Sequence, residues 1–425
     1  MNSKTNLPGA PYLQIDAGRL CLEGHALAEL GARFGTPLFV YSRQAMLAAV
    51  RSYQVALAGR RHLVCYAMKA NSSLAVLQTF VHAGCGFDIV SGGELLRVLA
   101  AGGDPAKVVF SGVGKSASEM RQALIAGVRC FNVESVGELQ RLNEVALALG
   151  RRAPVSLRVN PDVDAGTHPY ISTGLKGNKF GIAHDQALAA YQAAAALPGL
   201  RVVGIDCHIG SQITQVSPYL DAADRLLDLV EAVEAQGIRI EHVDFGGGLG
   251  ITYTDETPPS AAELVAQLLQ RLDARGHGER ELLFEPGRSL VGNAGVMLTE
   301  VMYLKPGETK NFCVVDAAMN DLIRPAMYQA WMGIEPCVQR EGPTTLWDVV
   351  GPVCESGDWL GRDRPLAVLP GDMLAVLSAG AYGMTMASNY NTRGRAAEVM
   401  VDGSAVHLIR EREDPASLFN LEKLI

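Results

Sequence analysis

Leu63-Val64-Cys65-Tyr66-Ala67-Met68-Lys69-Ala70-Asn71 is a short apolar run that ends on a single lysine. The run has the length and character of a buried strand. A lysine directly after such a strand is set apart from the solvated faces where lysines usually lie. Burial disfavours an ammonium, which is what an amine needs if it is to attack an aldehyde and hold a Schiff base. The plain alternative is a packed stem whose charged head reaches water. Outward from this stretch the chain keeps one rhythm. Runs at 63–67, 86–90, 108–111, 129–133, 155–159, 202–208, 241–245 and 281–285 read as strands, separated by helical stretches such as 135–149, 218–236 and 260–275. Eight alternations over about 250 residues fit an α/β chain with a (β/α)8 TIM-type barrel, at 45–295, better than an open doubly wound sheet.

The remainder changes character. Runs at 296–304, 311–316, 346–350, 372–377, 396–401 and 405–409 are β-type without long helices, and 36–41 is strand-like near the other end. Residues 1–44 and 296–425 are therefore expected to form a mainly β second domain, with the barrel inserted between its two parts.

Composition narrows the function classes. The 425 residues are 48% hydrophobic and 19% charged, an ordinary globular balance. The 37 Lys and Arg against 45 Asp and Glu leave a formal charge of −8 with no dense basic run, so neither nucleic acid nor an anionic membrane is an expected partner. Met1-Asn2-Ser3-Lys4-Thr5-Asn6 lacks the apolar centre of a signal peptide, and no apolar run approaches the ~18 residues that span a bilayer. A soluble, cytoplasmic protein is expected. The eight cysteines are scattered without a Cys-x-x-Cys pair, which indicates neither a metal site nor a disulfide framework. Most read as small buried hydrophobes, with Cys354 the exception.

In a barrel of this kind chemistry sits at the C-terminal strand ends. The predicted strands end on Lys69, then Asp88 and Ser91, Asn160, His208 with Gly210-Ser211, the run Gly246-Gly247-Gly248, and Glu285-Pro286-Gly287-Arg288. Glycines let backbone N–H groups approach a phosphate, and Ser211 adds a hydroxyl. The run is not a dinucleotide fingerprint, because Ile251 stands where a third glycine is needed. Ser111-Gly112-Val113-Gly114-Lys115-Ser116 is not a P-loop either, since Val109 stands where its first glycine belongs, and it reads as a turn into a helix. A carboxylate such as Glu285 facing a pyridine nitrogen keeps it protonated and makes the ring an electron sink.

Taken together, Tyr66-Ala67-Met68-Lys69-Ala70-Asn71, His208-Ile209-Gly210-Ser211-Gln212, Gly246-Gly247-Gly248, Glu285-Pro286-Gly287-Arg288 and Gly351-Pro352-Val353-Cys354-Glu355-Ser356-Gly357-Asp358 resemble the fold-type III pyridoxal phosphate (PLP) decarboxylases, over nearly the whole chain. Within that group, Arg158-Val159-Asn160-Pro161-Asp162, Thr167-His168-Pro169-Tyr170-Ile171-Ser172-Thr173-Gly174, Asn178-Lys179-Phe180-Gly181 and Asp316-Ala317-Ala318-Met319-Asn320-Asp321, leading to Arg324-Pro325 and Tyr328, are similar to the branch acting on diaminopimelate. The resemblance implies an alanine racemase-like arrangement of barrel and β domain, with PLP as cofactor and no metal. Lys69 would hold the cofactor aldehyde. Gly248, Ser211 and Tyr382 would hold its phosphate, Glu285 the pyridinium and His208 the ring face, with Asp88, Gly247, Gly287 and Arg288 also among the cofactor-binding residues. Arg288, Arg324, Tyr328, Glu355 and Tyr382 would grip meso-2,6-diaminopimelate, which would lose carbon dioxide to give L-lysine. Cys354 would protonate the carbanion, reaching the site of the partner subunit in a homodimer. Met68 and Gly166 depart from the family pattern, and the loop 164–179 is expected to act as a lid.

Three other readings stand beside this one. A decarboxylase of ornithine, arginine or a carboxylated polyamine would lack the distal carboxylate grip of Arg288 and Arg324. A silent paralogue would have lost Lys69, Glu285 or Cys354, and a racemase would spare the ring nitrogen its carboxylate.

Overall fold

Strand pairing accounts for the barrel directly. His62–Ala67, Gly86–Ile89, Val108–Phe110, Cys130–Val133, Ala153–Asn160, Leu200–Asp206, His242–Asp244 and Glu281–Phe284 each pair in parallel with the next. The eighth returns to the first, with Leu282 opposite His62 and Leu283 opposite Leu63, so the sheet closes without an edge. This computed structural model describes residues 7–164, 166, 173–174 and 178–425. Most of the expected lid at 164–179, including all but two residues of the Thr167 to Gly174 motif, lies outside the described residues, as does Met1 to Asn6.

Leu63, Cys65, Val109, Cys130, Val203 and Leu283 fill a cluster contributed by alternating strand positions. The helices start where their caps dictate. Ser116 and Ser260 each accept the backbone N–H of a glutamate three residues on, and that glutamate bonds back, which opens the helices Ala117–Ala126 and Ala261–Ala274. Ser135 caps Val136–Ala148 in the same way through Glu138 N–H. These caps fix how each strand end meets its helix, and hence which side chains stand at the mouth.

The chain divides into two compact units, one at 49–251 and 257–289, the other at 1–48, 252–256 and 290–425. The second is mainly β. Its strands run in the order Trp359–Leu366, Thr345–Val350, Phe312–Val315, Gly295–Lys305, Leu38–Ser42, Ala397–Asp402, Ala405–Arg410, with Met373–Val376 also on Gly295–Lys305 and Ile334–Pro336 on Met373–Val376. Leu38, Val40, Val296, Leu298, Val399 and Val401 point into one core with Leu20, Leu22 and Leu27. Leu20 and Leu22 come from a small antiparallel sheet of Leu13–Asp16, Arg19–Leu22 and His25–Ala26 that periodicity did not reveal, because strands of two to four residues carry no alternation to read. Among the described residues no helix is long and apolar enough to cross a membrane.

Candidate active site

The first barrel strand ends at Ala67, and a single 3₁₀ turn, Met68–Ala70, lifts Lys69 onto the mouth. Met68 is wholly buried beneath it, so its departure from the family pattern is a matter of packing. The lysine itself differs from the expectation of a desolvated amine. Its side chain is 37% exposed, and Nζ donates to Asp88 Oδ2 at 2.6 Å from the end of the neighbouring strand. Asp88 Oδ1 is enclosed with no hydrogen-bond partner among the described residues.

On the sixth, seventh and eighth strands, the last of which pairs with the Lys69 strand, stand three carboxylates that the strand register brings together. Asp206 and Asp244 face each other across paired strands, and Glu285 follows directly on the eighth. One carboxylate oxygen from each lies within 4.8 Å of the other two, and all three residues are buried. Burial, then mutual repulsion, pushes the Asp206 and Glu285 carboxyls well above the usual range. Burial pushes Asp244 up to about 7, partly offset by the Gly246 N–H that donates to its Oδ1 at 2.9 Å. Asn132 Nδ2 donates to Glu285 Oε1 at 3.2 Å and to Ser111 Oγ at 3.1 Å, fixing the carboxyl plane. The group shares protons as a unit.

The glycine run follows the seventh strand and has no room for side chains. A Cβ on Gly246 would lie 2.3 Å from Cys207 O, one on Gly247 2.0 Å from Glu285 O, and one on Gly248 2.3 Å from Gly210 O. Gly248 also sits at φ 102°, where other residues are strained. Gly247 N–H donates to His208 Nδ1 at 3.2 Å, which assigns the remaining ring proton to Nε2. Burial, with Arg158 and Lys69 nearby, pushes the imidazole well below its usual range, so it is neutral. Arg288 donates through Nη2 to Ser211 Oγ at 3.0 Å, and Gly287 packs against Ala67, where a Cβ would meet the carbonyl at 3.1 Å.

Structure brings Lys69, Asp88, His208, Ser211, Gly247, Gly248, Glu285, Gly287 and Arg288 into the barrel unit. Arg324, Tyr328, Cys354, Glu355 and Tyr382 belong to the second. There Arg324 is buried, its guanidinium 4.7 Å from the Tyr253 ring centroid, at the start of the short helix Arg324–Tyr328. Cys354 is exposed while the other seven cysteines are buried, and its N–H donates to Asn391 Oδ1. Glu355 accepts a 2.5 Å bond from Tyr390 OH. Tyr382 sits at φ 56°. Lys115, which a P-loop would aim at phosphate, is instead committed to Gly112 O, Asn132 O and Glu138. Gly166 sits at φ 62°, a backbone angle that favours glycine.

Sequence reasoning missed Asp206, Asp244 and Asn132. Each stands at the end of a predicted strand, so the signal was position within the barrel, without any motif. It also left Arg158 and Glu134 without roles. They form a buried ion pair at 3.1 Å, and Glu134 further accepts the N–H groups of Gly112 and Gly181.

Comparison with known proteins agrees with this geometry. Residues 43–292 match the family described as pyridoxal-dependent decarboxylase, pyridoxal binding domain. A diaminopimelate decarboxylase of Pseudomonas aeruginosa is 60% identical over 96% of this chain and 97% of its own length, and one of Aquifex aeolicus is 46% identical over 95% and 96%. Among solved structures, diaminopimelate decarboxylase from M. jannaschii in co-complex with L-lysine superposes with a TM-score of 0.94 at 39% identity, covering 99% of both chains. The Helicobacter pylori enzyme complexed with L-lysine gives 0.89 at 40% identity, covering 93% of this chain and 99% of that one.

Proposed function

The chain belongs to the diaminopimelate decarboxylase family of pyridoxal-dependent decarboxylases, and from that premise we propose that it converts meso-2,6-diaminopimelate to L-lysine and carbon dioxide with PLP as cofactor. The observation that carries the reading is the bond of Lys69 to Asp88 at the ends of the first two barrel strands together with the buried carboxyl of Glu285 and its neighbours on the sixth to eighth. An amine, a glycine cradle and a buried carboxyl are the donor set that an aldehyde, a phosphate and a pyridine nitrogen require. The fit is supported by the run Gly246 to Gly248, where a Cβ at any of the three would strike a neighbouring backbone carbonyl and only glycine lets the loop pack this closely at the strand ends, and by the orphaned Asp88 Oδ1.

PLP, when bound, supplies an electron sink for the pair left behind when a bond at an amino-acid Cα breaks. Everything else falls to the chain. Lys69 holds the cofactor, and Asp88 Oδ2 holds the lysine proton ready for exchange. Glu285 would face the ring nitrogen, whose positive charge, with the cofactor bound, would favour ionising this carboxyl over Asp206 and Asp244, because the three cannot all be ionised. His208, neutral, would lie against the ring face. Gly247, Gly248, Gly287 and Ser211 would hold the phosphate, a role the resemblance also implies for Tyr382. For the substrate, guanidinium forks at Arg288 and Arg324 suit carboxylates, Glu355 suits the distal ammonium, and Tyr328 and Tyr382 complete the grip. Cys354 would deliver the proton that replaces carbon dioxide; the family resemblance implies that it does so in the site of a second copy, in a homodimer, and its exposure in the single chain supports that reading. Eight unpaired thiols also suit a reducing, cytoplasmic setting.

The deciding experiment is release of carbon dioxide from meso-diaminopimelate, ornithine and arginine, each with and without added PLP. Turnover of meso-diaminopimelate alone, stimulated by PLP, is the expected result. Preference for ornithine or arginine would move the chain to the neighbouring branch.

A further inference from the structure

We propose that the second unit contains a separate site for a small organic carboxylate with an apolar body, centred on Arg364. This arginine stands on Trp359–Leu366 and is buried, yet among the described residues it has neither a hydrogen-bond nor an ion-pair partner, and its Nε is enclosed without an acceptor. Arginine is almost never buried unless paired, because desolvating a guanidinium needs a compensating anion. Burial pulls its pKa down to about 10, which leaves it a cation at neutral pH.

The fold accommodates this side chain deliberately. Along the ladder with Thr345–Val350, Trp347 faces Arg364 and Val349 faces Gly361, so one extra residue is taken up beside Asp363, which adopts φ 52°. Such a bulge re-aims the side chain next to it. A Cβ on Gly361 would lie 2.5 Å from Arg364 Nε, so a glycine is needed where the guanidinium crosses. Trp331 covers the guanidinium, with 3.2 Å from Cζ to the ring centroid. With one face stacked, the donors at its edge remain for a planar anion.

Arg364 lines a cavity of about 620 Å³ whose walls include Trp331, Tyr253, Ile334, Pro365 and Leu377. Arg340, also on its wall, is committed to Asp372 at 2.8 Å. Walls that are apolar apart from Thr254, Glu335, Gln339, Arg340 and Thr344, around a cation with no ion-pair partner among the described residues, describe a pocket for an organic anion, and a carboxylate matches the fork best. None of the residues assigned above to decarboxylation lines it.

The test is calorimetric titration of the holoenzyme with 4-methylpentanoate and with its uncharged isostere, 4-methylpentanamide. The acid should bind at one equivalent per chain and the amide roughly ten-fold weaker or worse. Arg364→Met, which keeps an apolar stem against Trp331, should abolish binding of the acid, whereas Arg324→Met, at the other buried arginine of this unit that stacks on an aromatic ring, should leave it unchanged. If Arg364→Met does not fold, Arg364→Lys decides, since it keeps the charge but loses the fork and should still weaken binding. Equal affinity for acid and amide, loss of binding in the Arg324 variant, or no heat of binding at millimolar acid would overturn the proposal.

Discussion

Three carboxylates that meet inside a barrel cannot all carry charge. Each is desolvated, and each ionised neighbour makes the next harder to ionise, so Asp206, Asp244 and Glu285 keep protons where a lone carboxyl has long lost its own. Stability inherits a pH dependence from this proton sharing. The unfolded chain releases the Asp244 proton at the ordinary aspartate value, while the folded protein holds it up to about 7. Stability from this group is therefore fully present at low pH and is lost as pH rises between those two values. Asp244→Asn has no proton to lose. Relative to wild type, the cofactor-free variant should gain roughly 1–3 kcal/mol between pH 5 and pH 8, read by denaturant unfolding at both. An unchanged difference would show that Asp244 is ionised in the fold at both values. Glu285→Gln acts on chemistry instead: cofactor should stay bound while turnover falls roughly 10²–10³-fold, as when another preorganised electrostatic partner is removed. Unchanged turnover would identify the wrong carboxylate. Lys69→Ala should abolish turnover and the borohydride-reducible adduct together, and an adduct that survives on another lysine would displace Lys69 from its role.

Strand ends and the loops after them are where sequence and structure agree most closely, for a physical reason. The helices Val136–Ala148 and Ala261–Ala274 begin at Ser135 and Ser260, the same serines at which the helical pattern begins in the sequence, because a cap is a local signal. Strands buried on both faces read as short apolar runs, so all eight of the barrel were legible to within a few residues. What stayed hidden were Leu13–Asp16 and His25–Ala26, too short for a period, and Trp359–Leu366, whose arginines and bulge break its alternation. The glycine loop lends itself to a paired test. Gly248→Ala places a Cβ 2.3 Å from Gly210 O at a left-handed φ, which should cost about 1–3 kcal/mol and weaken cofactor binding. Gly114→Ala, in the turn that is not a P-loop, meets nothing within 4 Å and should change neither. Melting curves and cofactor titration of the two variants check this, and equal behaviour would remove the loop from the site.

Across the whole chain, the candidate site was legible only where a residue belongs to a local motif. Lys69, the glycine run and Glu285 announce themselves by following strands, whereas Asp206, Asp244 and Asn132 matter through partners as distant in sequence as Glu285 is from Asn132, and separation of that kind leaves no local pattern. Cys354 is the case that reaches beyond one chain. It is the exposed cysteine among eight and lies in the second unit, so its assignment to chemistry in the barrel of a partner is a statement about two copies. Mixing inactive Lys69→Ala and Cys354→Ala proteins tests it. In a mixed dimer with shared sites, one site carries both lesions and the other carries neither, so activity should reappear from two dead parents. Random exchange under two-fold symmetry makes half the dimers mixed with one good site in two, and recovery should approach about a quarter of wild type. Exchange is verified by mass, and each parent is first shown to be inactive. If the exchanged mixture stays inactive, Lys69 and Cys354 serve the same chain's site, or the thiol has no part in the chemistry.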